Sequence, residues 1–85
     1  MQDVENLHDS ILKLIYQIVK EDTYPLKYQV HPRELILRSM QDWSAIQNCL
    51  SLLETEGAIV TRQLDTFQIS ITEKGLQWCK SHFQE

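Results

Sequence analysis

The stretch LLETEGAIVTRQ, residues Leu52–Gln63, contains a change of period. Up to Glu56 the apolar residues recur at helical spacing. From Ala58 they alternate with polar ones, as on a half-buried strand. Gly57 stands at the change and is one of only two glycines in 85 residues. A glycine just beyond a helix takes the left-handed conformation without steric cost and so ends it. The stretch therefore reads as a helix C-terminus passing at once into a strand. Leu52 and Leu53 finish the buried side of the helix, and Ile59 to Gln63 begin the strand.

Working outward, AIVTRQ and FQISIT are two short alternating runs joined by LDT, and they predict a β-hairpin. Thr72 caps a last helix, EKGLQWCKSHFQE, with Leu76, Cys79 and Phe83 on one face and Trp78 pointing roughly the opposite way. Upstream, Asp42 suits the N-cap of the third helix, which ends at Gly57. Pro32 suits the first position of a short second helix containing Leu35, Ile36, Leu37 and Met40. Lys27 to Val30 predict a short strand before it. A first helix runs from Asp3 to about Asp22, with Val4, Leu7, Ile11, Leu14, Ile15 and Ile18 at helical spacing. Leu12, Tyr16 and Val19 widen its apolar stripe to about half the circumference. Such a stripe must be covered on two sides, by the core and by a last helix or a second subunit. The order is helix, short strand, helix, helix, hairpin, helix: a mainly α fold with a small β-hairpin, an α+β class, in one domain over residues 1–85.

Hydrophobic residues make up 42% of the chain, enough for one folded core. The N-terminus lacks the pattern of a signal peptide, and no apolar run has the length of a membrane span. Cys49 and Cys79 both fall in helical patterns and read as reduced, buried side chains, which with the missing leader predicts a cytoplasmic protein. The net charge is −4, so the strongly basic balance that marks many nucleic-acid binders is missing.

Helices two and three, joined around Ser39 to Asp42, have a helix-turn-helix arrangement, and the hairpin after them stands where a wing would. At this point the chain resembles winged helix-turn-helix domains of the MarR-type and PadR-type bacterial regulators. Such domains often carry L-x-x-L-E-x-x-G-x-I at the end of the third helix with an arginine shortly after. Here these are Leu50, Leu53, Glu54, Gly57, Ile59 and Arg62. They also often carry L-T-x-x-G after the wing, matched here by Ile71, Thr72 and Gly75. The resemblance spans about Leu7 to Lys80. It implies a DNA-binding regulator whose third helix lies in the major groove, although the extra dimerising helices of larger members are absent. The chain departs from the pattern in its single basic wing residue, Arg62, and in a third helix without cations.

On a helical wheel Ser44, Gln47, Asn48 and Ser51 share the outer side of the third helix. Gln and Asn pair bidentately with adenine N6 and N7, and Ser serves several bases, so this row is a candidate for base readout. It reads equally as a solvated face of uncharged polar groups. Lys27, Arg33, Arg38 and Arg62 are the candidate phosphate contacts. So few cations imply a dimer or a partner with DNA affinity of its own. Trp78, with Leu12 and Tyr16 on the first helix, is a candidate interface, or else Trp78 simply covers the wide stripe of that helix. Trp43 reads as packing near the turn.

His8, His31 and His82 are scattered, and Cys79 with His82 has no second pair at zinc spacing. No phosphate loop, nucleophile elbow or ordered triad is present in the sequence. The expectation is no enzyme, no cofactor, no metal, no membrane and no identified small-molecule substrate. Two functions remain: a sequence-specific DNA-binding transcriptional regulator or accessory factor, and a protein–protein interaction module without DNA binding of its own. The sequence names neither operator nor partner.

Overall fold

A computed structural model describes residues 7–63 and 65–83. It contains α1 (Leu7–Val19), α2 (Pro32–Ser39), α3 (Trp43–Thr55), strands β1 (Ile59–Gln63) and β2 (Phe67–Ile71), and α4 (Glu73–His82). The two strands form an antiparallel hairpin with Ile59 opposite Ile71 and Gln63 opposite Phe67. The class is therefore α+β, four helices and a two-stranded sheet among the described residues. The expected start of the first helix, residues 3–6, lies outside them, as does Leu64 in the hairpin connection.

α1 organises the core. Ile11, Leu12, Ile15, Tyr16 and Val19 are buried along it, and α2, α3 and α4 all pack against it. The wide apolar stripe is covered within the chain: α4 lies over the part that the core does not reach. α1 stops at Val19 rather than near Asp22, and the chain turns there, with the Asp22 carboxylate accepting the Tyr24 N–H at 2.9 Å.

The expected strand at Lys27–Val30 is not formed as one. Pro25 starts a 3₁₀ turn over Pro25–Lys27, and only Val30 bridges to the sheet, exchanging both backbone hydrogen bonds with Ile69 at 2.8 and 3.0 Å. Two prolines bound this segment. Pro25 favours the tight turn, and Pro32 opens α2 immediately after His31, leaving one residue for pairing. Within α2 only Leu35 is buried, because a helix of eight residues presents little more than one ridge to the core. Ile36, Leu37 and Met40 remain exposed. Met40 ends α2 in the left-handed region at φ 62°, and Asp42 starts α3 by accepting the Ala45 N–H at 3.0 Å.

The joint from α3 to the hairpin to α4 is built from five residues. Gly57 turns at φ 80° and lets the Ala58 N–H reach back to the Leu53 carbonyl at 2.9 Å. The Thr72 hydroxyl donates to the Gly57 carbonyl at 2.6 Å and accepts the Gly75 N–H at 3.0 Å, so one side chain closes the α3 end and caps α4. The Thr72 N–H bonds the Ala58 carbonyl at 3.0 Å. A Cβ on Gly75 would overlap that carbonyl oxygen and stand 2.9 Å from its carbon. α4 approaches the strand this closely only because Gly75 has no side chain.

Leu53, Ile46, Cys49 and Leu50 fill the inner side of α3, whereas Leu52 is exposed. It stands about 100° from Leu53 on the wheel, at the edge of the buried arc, and no element covers that flank. Cys49 and Cys79 are buried free thiols. Burial pushes both up from the ordinary thiol value, and for Cys79 the nearby Asp9 adds to it, raising the thiol to about 12.

Two outcomes follow. Gly75→Ala destabilises the fold by about 3 kcal/mol, read as a lower urea midpoint, whereas Gly57→Ala costs about 1 kcal/mol for its left-handed backbone; equal losses would show that the close approach at Gly75 is not special. The Cys79 thiol is kept protonated in the folded state, so its contribution is fully present below the unfolded value of 9.0 and is lost as pH rises towards about 12. Native protein at neutral pH should therefore resist thiol alkylation until it is unfolded.

Candidate nucleic-acid interface

α3 is the element with a polar outer face. Ser44, Gln47, Asn48 and Ser51 are all exposed. Successive positions differ by about 100°, which divides the row. Ser44, Asn48 and Ser51 point most directly outward. Gln47 leans to the flank shared by Trp43 and Glu54, and that flank meets the hairpin.

Trp43, the first residue of α3 after the turn, packs on the hairpin: its ring meets that of Phe67 edge to face, with centroids 5.7 Å apart. Glu54 reaches β1 from the other end of α3. Its carboxylate accepts the Thr61 N–H at 3.3 Å and the Thr61 hydroxyl at 3.0 Å. The register explains why Thr61 is available. Ile69 spends both backbone groups on Val30, so the opposed pair Thr61–Ile69 is a non-hydrogen-bonded one, and the Thr61 N–H faces the free edge of β1. Glu54 thus protects an edge strand and fixes its distance from α3. Sequence reasoning placed Glu54 at the helix end and missed this clip. The available signal was a glutamate one turn before Gly57 and a threonine four residues after it.

Between α2, α3 and the hairpin runs a shallow, open groove lined by Pro32, Ile36, Trp43, Gln47, Gln63 and Phe67. Its walls are largely apolar, with the two glutamines supplying side-chain amides. No polar pattern in the sequence marks it, because its members come from four separated segments.

Arg33 and Arg38 on α2 and Arg62 on β1 are exposed, and among the described residues none has a carboxylate within ion-pairing distance. All three arginines of the chain therefore lie on the elements around α3. Arg33 and Arg38 are five positions apart, about 140° around α2, so they do not share one face of it. Lys27 is exposed with its ammonium 5.7 Å from the Tyr24 ring centroid. Three carboxylates of the same region are engaged: Glu34 accepts the His31 N–H at 3.2 Å, Asp42 caps α3, and Glu54 holds Thr61, whereas Asp65 in the hairpin connection is exposed.

The three residues expected at an interface sit differently. Leu12 is 2% and Tyr16 7% exposed, both inside the chain's own core. Trp78 is half-buried. It stacks on His82 at 4.0 Å and meets Phe83 edge to face at 5.2 Å. It therefore does not point away from Phe83. At φ −116° and ψ 78° Phe83 has left the helical path at the end of α4, which brings its ring back over Trp78.

Among the described residues no group of three or more His, Cys, Asp and Glu side chains is arranged to hold a metal ion, and no helix is long and apolar enough to cross a membrane. Compared with known proteins, the chain matches no protein-family profile, no curated sequence and no solved structure.

The clip predicts a local effect. Glu54→Ala should cost about 1 kcal/mol and speed amide hydrogen exchange at Thr61, leaving exchange at Ile46 in the α3 core unchanged. Unaltered protection at Thr61 would remove Glu54 as the hairpin's anchor.

Proposed function

We propose that this chain is a winged helix-turn-helix protein that binds duplex DNA as a dimer and acts as a transcriptional regulator or accessory factor. The observation that carries the reading is the exposed row Ser44, Gln47, Asn48 and Ser51 on α3, beside a hairpin held to the same helix by Glu54 and Thr61. In this reading α3 lies in the major groove. Gln47 and Asn48 discriminate bases through their amides, and Ser44 and Ser51 adapt to several. Arg33 and Arg38 approach flanking phosphates from α2, Arg62 does so from the hairpin, and Lys27 adds a fourth cation. Phosphate contacts supply much of the affinity of such complexes. A single subunit with three or four of them binds weakly, and a two-fold pair doubles the number and spans two half-sites.

A second reading is favoured by a specific observation. Leu37 is 68% and Met40 86% exposed, on the outer side of α2 and in the turn after it. Large apolar side chains standing this far into solvent suit a protein partner, and the net charge of −4 does not oppose one. The chain is then an interaction module built on the same fold.

Fluorescence polarisation with random-sequence duplex separates the two. For a DNA binder, affinity falls as salt rises, and Arg62→Ala lowers the slope of log K against log salt by about 1 for each subunit engaged, for all sequences alike. Gln47→Ala instead relaxes discrimination, by about 1–3 kcal/mol at the base pair it reads. A confirmed dimer that fails to bind duplex at low salt removes the first reading and leaves the second, in which Leu37→Asp abolishes partner recovery.

A further inference from the structure

A second concavity, of about 420 Å³, lies where the start of α1, the α3–β1 joint and the first turns of α4 meet. This volume falls in the range of small-molecule sites. His8, Asp9 and Leu12 enter it from α1, Glu56 from the α3 end, and Lys74 and Trp78 from α4. Among the described residues its charges fall into two groups that are not ion-paired with each other. The His8 Nε2 lies 3.5 Å from the Asp9 Oδ1 and 3.7 Å from the Glu56 Oε2, so both carboxylates gather around one imidazole. Lys74 does not join them. Its side chain crosses Gly57, with Cδ and Nζ 3.6 and 3.7 Å from the point a Cβ there would occupy. Among the described residues no carboxylate comes within ion-pairing distance of its ammonium. One cavity therefore holds an anionic end and a cationic end that do not neutralise each other. Trp78 and the buried Leu12 supply apolar surface to the same cavity. Trp78 is held in place by His82 on one face and Phe83 at its edge.

We propose that this cavity binds a small zwitterion of the α-amino-acid type with an apolar or aromatic side chain. The ligand's ammonium is met by the oxygens of Asp9 and Glu56 beside the His8 imidazole that stands between them, its carboxylate by Lys74, and its side chain by Trp78 and Leu12. A simple cation is opposed by Lys74 and a simple anion by the two carboxylates, whereas a zwitterion satisfies both ends. Charge-assisted hydrogen bonds at each end supply orientation as well as affinity. The site stands apart from the α3 face and does not depend on what that face binds. Its walls include Glu56 and Ala58, on either side of Gly57, so an occupant touches the joint that sets the hairpin against α3.

The test uses the full chain with Trp43→Phe, which leaves Trp78 as the only tryptophan. Three probes are titrated: L-phenylalanine, 2-phenylethylamine, which lacks the carboxylate, and 3-phenylpropionate, which lacks the ammonium. The expected result is a saturable change in Trp78 emission with phenylalanine, and binding about tenfold or more weaker for each one-ended analogue. Lys74→Met and Glu56→Gln, both at exposed positions, should each weaken phenylalanine to a similar degree. Lys74→Met should leave phenylethylamine no weaker. Circular dichroism checks that the variants remain folded. Equal affinity for the three probes, phenylalanine binding unaffected by Lys74→Met, or no saturable change with any probe overturns the proposal.

Discussion

The carbonyl of Ala58 occupies the space that a side chain on Gly75 would need, and the relation of α3, hairpin and α4 depends on that contact. It allows α4 to lie directly on the start of β1. That in turn brings Thr72 to Gly57, where its hydroxyl closes one helix and caps the next. Without the close approach, α4 would stand off from the joint and the apolar stripe of α1 would lose its second cover. Burial of Leu76 and Cys79 follows from the same geometry. Each buried aliphatic side chain contributes about 1.5–3 kcal/mol, so a joint that seats a whole helix is worth more than the few hydrogen bonds and the cap at its centre.

The hairpin is held at four places, by backbone hydrogen bonds, a side-chain carboxylate and an aromatic contact. At its base the backbone of Ala58 and Thr72 ties it to α4. At mid-strand the Glu54 carboxylate takes the free edge of β1, and near the tip Phe67 meets Trp43. On its far side Val30 closes the other edge of the sheet with two hydrogen bonds. A two-stranded ribbon is marginal alone in water. Here both outer edges are occupied, and the ribbon becomes a fixed wall beside the polar face of α3. That fixity, rather than any single side chain, makes the α3 face a defined surface.

Much of this was legible in the sequence, and the failures share a cause. The change of period at Gly57, the caps at Asp42 and Thr72 and the two alternating runs after Gly57 all depend on neighbours in the chain, and local chemistry decides them. The strings around Glu54 and Thr72 were visible too, but their meaning was not: they are two halves of one contact. Misplaced residues lie on flanks. Leu52, Ile36 and Leu37 are apolar and at helical spacing, yet exposed, because spacing says which residues share a side and not how wide an arc the neighbours cover. Leu12 and Tyr16 went the other way, into the core, once α4 was laid over α1. Trp78 was misdirected because a helical wheel was extended to Phe83, one residue beyond the helix. The apolar groove beside Gln47 draws on four segments, and no local pattern could have announced it.

The turn between α2 and α3 holds a methionine at φ 62°, a conformation that glycine adopts freely and other residues adopt at a cost of about 1–2 kcal/mol. A methionine can offset such a cost by burying its side chain, and this one is 86% exposed. Burial of this side chain therefore does not offset the cost. The stability forgone there is a property of the surface, not of the core. The methionine side chain is also left standing in solvent at the α2–α3 turn, immediately before α3 begins.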